Sequence, residues 1–435
     1  MAGLAARRAA FRIVEAVRQG QPLDRALDTH LPGLADADRR LAHELAAGVL
    51  RHQGGLDRAL KPFVPRGLDG VPPPVRSILR LGAYQLRHLE RVPPHAAVST
   101  SVDLAKETAG PKSAGFVNAV LRKVAGGASR PAPPTAPAGR TAPNLARRYD
   151  HPEWLVERWL ARFGPAETEA LLQWNNARPR LVLQPARASL PELQQRLLEA
   201  GIACTPAPFG AGLLVEGVRP QEVPGYAAGE FFVQDPAQAL VVRFAAVPPG
   251  ATVYDACAAP GGKAMSLSPS AALVVAGEAD RRRVGRLREN LARAGASRAL
   301  VVVADGRHPP VRRVDAVLLD APCLGTGTLA RHPDLRWRVN AAALERITAR
   351  QRELLEAAAG AVRPGGLLLY ATCSLEPEEN AEQVNRFLAA HEAFGREPSS
   401  TVPDELLSPT GDLMILPQRH GMDGAFAARL RRKAG

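Results

Sequence analysis

A chain of 435 residues with 46% apolar composition is too long for one ordinary core and apolar enough to fill several, so roughly two or three domains are expected. No stretch approaches about eighteen uninterrupted apolar residues, and Met1 to Arg12 lacks an apolar core followed by a small-residue cleavage site. These features argue against a membrane span or a secretory leader and make the cytoplasm the expected location. The four cysteines include no CxxC pair, which fits neither a disulfide framework nor a zinc site, so no metal is expected and each cysteine acts, if at all, as a single thiol. The net charge of +13 favours a polyanionic partner, nucleic acid first, because each neutralised phosphate releases counterions. The excess is carried mostly by arginine, so genomic base composition explains it equally well on charge alone.

In chain order, Ala5 to Val124 repeats apolar residues at helical spacing, as in Val117, Val120, Leu121 and Val124, and shows no strand-like alternation. Residues 1–125 are therefore expected to form an all-α bundle, with Pro72 to Pro74 opening one of its helices. Arginines such as Arg7, Arg12, Arg51 and Arg80 could track a phosphate backbone there, although scattered helix arginines are more often solvated faces. Residues 126–144, rich in Pro, Ala, Gly and Thr, read as a semi-extended linker. Residues 145–235 read as a small α+β module: a helix from Trp154, a strand at Leu181 to Leu183, and a helix through Leu193 and Leu197 ended by Gly201.

Residues 236–435 alternate short apolar strands with amphipathic helices, the pattern of a doubly wound α/β sheet covered on both faces. Strands are expected at Thr252 to Cys257, Ala272 to Ala279, Ala299 to Asp305, Ala316 to Asp320 and Leu367 to Thr372. A closing hairpin turns at Met422-Asp423-Gly424.

Such sheets bind ligands beyond the carboxyl ends of their strands. Asp255 leads into Cys257-Ala258-Ala259-Pro260-Gly261-Gly262-Lys263, whose glycines let backbone amides approach a ligand. Glu278 ends the next strand, where an acid can accept hydrogen bonds from ribose hydroxyls, and Asp305 ends the third. The glycine turn is neither a GxGxxG fingerprint nor a P-loop, and by itself it says little. Three acids at successive strand ends say more, against a reading in which they only cap helices or face solvent. Cys257, Cys323 and Cys373 likewise follow predicted strands. A free cysteine is usually a small buried hydrophobe, the preferred reading for Cys204 and Cys257, but Cys323 and Cys373 sit in turns where a thiolate could meet a substrate. Spacing does not choose between those two thiols.

Three strings, Asp255 to Lys263 (DACAAPGGK), Asp320 to Trp337 (DAPCLGTGTLARHPDLRW) and Tyr370 to Asn380 (YATCSLEPEEN), resemble the RNA cytosine-5 methyltransferase family. Residues 5–124, with FVNAVLR at Phe116 to Arg122, look like the helical domain shared with the antitermination factor NusB, which points to the Sun/Fmu branch acting on small-subunit ribosomal RNA. The resemblance implies a class I methyltransferase fold, S-adenosyl-L-methionine as cofactor and 16S ribosomal RNA, free or in early assembly, as partner. The chain does not set an oligomeric state, so a monomer with no obligate protein partner is the default expectation. The resemblance assigns Cys373 as the nucleophile that adds to C6 of the cytosine, Cys323 as an aid to product release, Asp320 and Lys263 as aids at the base, and Cys257 to Lys263 with Glu278, Asp305 and Asp320 as the cofactor site. Arg331, His332, Arg336 and Arg338 are then expected along the catalytic rim. Glu278 stands where relatives carry Asp, and Gln184-Pro185 replaces an Arg-Val-Asn-like segment, which puts an RNA contact there in doubt. Two other readings fit less well: a tRNA enzyme with the same motifs, disfavoured by the helical domain, and a NusB-like RNA-binding or assembly factor without catalysis, disfavoured by the intact cysteines and acids.

Overall fold

A computed structural model describes residues 3–127 and 139–434; most of the expected linker, residues 128–138, lies outside the described residues. The chain forms two compact units, one of Met1–Ala177 with Leu329–Arg338, the other of Arg178–Thr328 with Val339–Gly435.

The first unit is helical. Its helices are α1 (Leu4–Arg18), α2 (Leu23–His30), α3 (Asp36–Arg51), α4 (Gln53–Leu60), α5 (Pro73–His88), α6 (Pro94–Ala109) and α7 (Pro111–Gly126). Three of them begin on proline at the first helical position, where no backbone N–H is needed. Ile13, Leu45, Ile78, Leu104, Val117 and Leu121 close the core at the expected helical spacing. Two further helices, α8 (Ala142–Tyr149) and α9 (Glu153–Asn176), belong to this unit rather than to the small sheet. Asp150, between them, takes Arg58 of α4 at 2.7 Å, and Gly54 and Gly55 leave the room its carboxylate occupies. The expected module boundary at 145 therefore differs from the division between compact units, which falls after Ala177.

The segment Leu329–Arg338 folds with these helices, although the residues on either side of it belong to the second unit. Arg336 is fully buried: Nη1 donates to Arg51 O (3.1 Å), Asp150 O (3.2 Å) and Asn176 Oδ1 (2.8 Å), and Nη2 to Asn175 O (2.9 Å). Burial pushes this guanidinium down to about 9, still charged at neutral pH, so it is solvated by carbonyl dipoles instead of water. Trp337 Nε1 donates to Leu50 O at 2.7 Å, Leu23 N donates to Asp334 Oδ2 at 3.2 Å, and Arg338 lies 3.6 Å from Asp334. His332 lies 3.5 Å from Asp24. The expectation that Arg336 lines an open rim is thus corrected, because its side chain is consumed in holding carbonyls of the helical unit.

In the second unit a four-stranded antiparallel sheet has the order β2-β3-β1-β4, from β1 (Leu181–Pro185), β2 (Cys204–Pro206), β3 (Leu213–Val215) and β4 (Phe231–Val233). It is backed by α10 (Leu190–Glu199), whose start carries a Ser189/Glu192 capping box. Gln184 is buried in β1 and donates to Ala211 O at 2.9 Å, so at this departure from the family pattern the side chain is an internal strut.

The larger sheet contains β5 (Thr252–Asp255), β6 (Leu273–Glu278), β7 (Ala299–Val303), β8 (Val314–Asp320), β9 (Val362–Thr372), β10 (Phe394–Arg396) and β12 (Ala425–Arg432), with β11 (Leu413–Ile415) paired to β12. Its order is β10-β12-β9-β8-β5-β6-β7. The strands β7, β6, β5, β8 and β9 run parallel, and β12 enters antiparallel to β9, as expected of the closing hairpin. Alternation divides the sheet's side chains between two cores: Val253, Leu318 and Leu369 face one, with α11 (Pro236–Ala245), α12 (Gly262–Leu267) and α13 (Arg281–Ala294). Tyr254, Leu319 and Tyr370 face the other, with α14 (Ala341–Ala361) and α15 (Ala381–Ala390).

Replacing Arg336 by Ala leaves five oxygens, Leu329 O at 3.5 Å among them, without this donor and opens a cavity. The chain should lose about 3 kcal/mol or more of helical-unit stability, read as a lower urea midpoint of that unit's transition; an unchanged midpoint would mean that the buried guanidinium contributes nothing.

Candidate active site

Chemistry-bearing residues converge beyond the carboxyl ends of β5, β6, β8 and β9. Parallel pairing sets the register there: Asp320 at the end of β8 lies opposite Ala371 of β9, and Ala321 N donates to Ala371 O at 2.8 Å. Adjacent strands run roughly 4.8 Å apart, so turns leaving them at matched positions stay close. The result is that Cys323, on the turn after β8, and Cys373, immediately after β9, place their sulfurs 3.3 Å apart.

The turns are further fastened through glycine. Gly327 N donates to Cys373 O at 3.0 Å, and Gly424 N donates to Gly327 O at 2.8 Å. A Cβ on Gly327 would meet Gly424 Cα at 2.7 Å and Cys373 O at 2.8 Å, so only glycine allows this approach. Both thiols are half-buried and free, as are Cys204 and Cys257. The hydrogen bond with Cys373, burial, and the charges of Glu379 and Asp320 all push the Cys323 thiol well above its ordinary range. Cys323 therefore keeps its proton at neutral pH. Cys257 is pushed up to about 12, chiefly by burial and then by Asp255, which makes it an inert thiol.

Lys263 is buried on α12. Its Nζ donates to Asp320 Oδ2 at 2.6 Å and to Gln238 Oε1 of α11. The lysine thus fixes the carboxylate that directly precedes the Cys323 turn. Behind it, Asp255 is buried with no well-aligned donor to either carboxylate oxygen. Desolvation pushes it up to about 7, with Lys263 and the Cys257 amide offsetting only part of the rise. Glu278, also buried, accepts from Asp280 N at 2.9 Å and lies 3.1 Å from Arg283. Asp305, past the end of β7, is held down to about 2 by the Arg307 guanidinium, 2.7 Å away.

The glycine loop is built on Gln234: a Cβ on Gly262 would lie 2.5 Å from Gln234 Nε2, and Gly261 has φ +111°. The loop and the acids expected at strand ends are brought together on one rim of the sheet. The sequence reading gave no role to Gln238, Gln234, Ser374 or Glu379. Glu379 and Ser374 stand inside the string Tyr370 to Asn380, which marks the region without singling out either residue. Among the described residues no group of three His, Cys, Asp or Glu is placed to hold a metal ion, and no helix is long and apolar enough to cross a membrane.

Comparison with known proteins agrees with this layout. Residues 244–431 match the family model of the 16S rRNA methyltransferase RsmB/F, residues 4–126 that of the NusB family, and residues 151–220 that of the RsmF/B-like ferredoxin-like domain. The probable ribosomal RNA small subunit methyltransferase B of Synechocystis is 36% identical over 99% of this chain and 100% of its own. That of Sodalis glossinidius is 34% identical over 97% and 96%. The crystal structure of PH0851 superposes with a TM-score of 0.81 at 27% identity, covering 98% of each chain. NSun6 from Pyrococcus horikoshii, solved with SFG, shares the fold at a TM-score of 0.58 and 19% identity over 65% of this chain and 99% of its own.

The raised Asp255 group has a definite pH signature. Its folded value of about 7 exceeds the ordinary 3.8, so its stabilising protonation is fully present below pH 3.8 and is lost as the pH rises through 7. Asp255→Asn removes that loss. The melting temperature of the variant minus that of the parent should rise by roughly a few degrees between pH 4 and 8; a flat or falling difference would contradict the buried, donor-poor placement.

Proposed function

The chain belongs to the ribosomal RNA small subunit methyltransferase B family, and from that premise we propose that it methylates carbon 5 of a cytosine in 16S ribosomal RNA, with Cys373 as the nucleophile. The observation that carries this reading is the 3.3 Å contact between Cys323 and Cys373 beside the Lys263–Asp320 pair.

Cytosine C5 is a poor nucleophile. A thiolate that adds to C6 converts it to an enamine-like carbon able to attack an electrophilic methyl group. The neighbouring thiols differ in a way that suits one of them to this task. Cys323 holds its proton, so Cys373 is left to attack while Cys323 remains a thiol available for release of the product. Asp320, oriented by Lys263, is suited to accept from the N4 amino group and from N3–H of the N3-protonated adduct, and the nearby ammonium offsets charge on the base. The target base is unstacked before reaction, because attack on C6 comes from above the ring.

S-adenosyl-L-methionine is the methyl donor in this reading, supplying a sulfonium-bound methyl. The residues present fit it: Asp255 offers shielded carboxylate oxygens without good donors, Glu278 and Asp305 stand at the next two strand ends, and the loop Cys257 to Gly262 supplies backbone groups. The helical unit and the small sheet are assigned to flanking RNA, which the net charge of +13 favours.

Cys373→Ala should abolish methyl transfer to 16S RNA, whereas Cys323→Ala should leave a covalent protein–RNA adduct visible on a denaturing gel. An adduct trapped by the Cys373 variant instead would reverse the two roles. Bisulfite sequencing of 16S RNA from a deletion strain should show one cytosine losing its methyl mark, and an unchanged pattern would refute the substrate.

A further inference from the structure

Behind the two sulfurs lies a buried carboxylate that the reaction scheme leaves unused. Glu379 is fully buried, and its two oxygens accept from neighbours of both cysteines. Leu324 N, the residue after Cys323, donates to Oε2 at 3.0 Å, and the hydroxyl of Ser374, the residue after Cys373, donates to Oε1. Gln351 of α14 donates to Oε2 at 2.9 Å and, through the same amide nitrogen, to Pro322 O at 2.9 Å, the residue before Cys323.

Further hydrogen bonds tie the same two turns together. Thr326 bridges back to Ser374 at 3.2 Å while accepting from Leu375 N at 2.8 Å, and Tyr370 OH donates to Glu379 O at 2.7 Å. Asn380 Nδ2 donates to Ser374 O at 2.8 Å and its Oδ1 accepts from Thr372. Burial pushes Glu379 up to about 7, with Ser374, Leu324 and Gln351 pulling it down and Glu376 adding to the rise; Cys323 and Tyr370 also face it. A buried carboxylate is costly, and a neutral amide of the same shape would be cheaper to bury. An amide, however, has a single acceptor oxygen: it keeps the Leu324 and Gln351 bonds only by turning its nitrogen toward Ser374, which reverses the donor on the Cys373 arm.

We propose that Glu379 is a positioning residue for methyl transfer, its carboxylate clamping the turn of Cys323 to the turn of Cys373 and so setting the approach of the two sulfurs. This rests on the covalent reading of Cys373 given above. Glu379 touches neither base nor cofactor in this role; it acts through the two turns.

Two measurements on Glu379→Gln and on Ser374→Ala, which cuts one arm only, test the clamp. The first needs no RNA: diamide takes two electrons and two protons from a pair of close thiols, forming a disulfide that peptide mapping assigns to Cys323–Cys373. Glu379→Gln should close this bridge about tenfold more slowly than the parent, and Ser374→Ala should fall between. A carboxylate acting only through its charge gives the opposite sign, since its loss frees the Cys323 thiol to ionise; faster or equal closure overturns the proposal. The second is turnover on 16S RNA, where kcat should fall about tenfold or more in Glu379→Gln while the RNA KM and the S-adenosylmethionine dissociation constant stay within about twofold. Parallel losses of kcat, cofactor binding and melting temperature would make Glu379 merely structural and overturn the proposal. If the parent itself forms no adduct through Cys373, the covalent reading fails; if the parent does and Glu379→Gln behaves like it, only the clamp fails.

Discussion

Two thiols 3.3 Å apart at the ends of adjacent parallel strands are the constraint around which this site is organised. Neither strand alone determines the contact. It requires the β8–β9 register that sets Asp320 against Ala371, a glycine at 327 where Cys373 O and Gly424 leave no room for a Cβ, and a carboxylate bridging the two turns. The ties are buried or partly buried, and in a low-dielectric interior a hydrogen-bonded polar network is rigid only when all its members are satisfied. The packing of α14 against β8 completes it, because Gln351 holds both Pro322 O and Glu379.

Charge in the second unit follows the same economy. Asp255, Glu278 and Asp320 stand near one rim with Lys263 tied to one of them, and beyond that field and the Cys257 amide Asp255 has no well-aligned donor. A buried carboxylate short of donors with a raised pKa accompanies function more often than chance. Arg336, by contrast, carries a buried charge in the helical unit for an architectural purpose, solvated by the carbonyls of Arg51, Asp150 and Asn175.

Much of this was legible before the structure. The alternation of strands and amphipathic helices placed the parallel sheet, and the acids and cysteines at strand ends were read from position alone: Asp255, Glu278, Cys323 and Cys373 do stand on one rim. The reading began β9 at Leu367, after Pro364-Gly365-Gly366. The strand in fact starts at Val362 and carries those residues as an irregularity where the β8 register shifts between Val314 and Ala316. Arg336 was misjudged because an arginine beside a catalytic string looks exposed, and nothing in local sequence shows that the carbonyl ends of distant helices converge on it. Glu379 was missed for the related reason that burial of a polar side chain is a property of tertiary packing, invisible in a string where Glu376, Glu378 and Glu379 look alike; Glu379 reaches both cysteine turns. The division after Ala177 was equally hidden, since the Asp150–Arg58 pair that joins α8 and α9 to the helical unit spans 92 residues.

The most direct test of the account is to trap the enzyme on 16S RNA transcribed with 5-fluorocytidine, in the presence of S-adenosyl-L-methionine, and to map the modified peptide by mass spectrometry. Fluorine at C5 cannot leave as a proton does, so the adduct persists. The account predicts nucleotide mass on the peptide carrying Cys373; attachment to Cys323, or no covalent species at all, would contradict it.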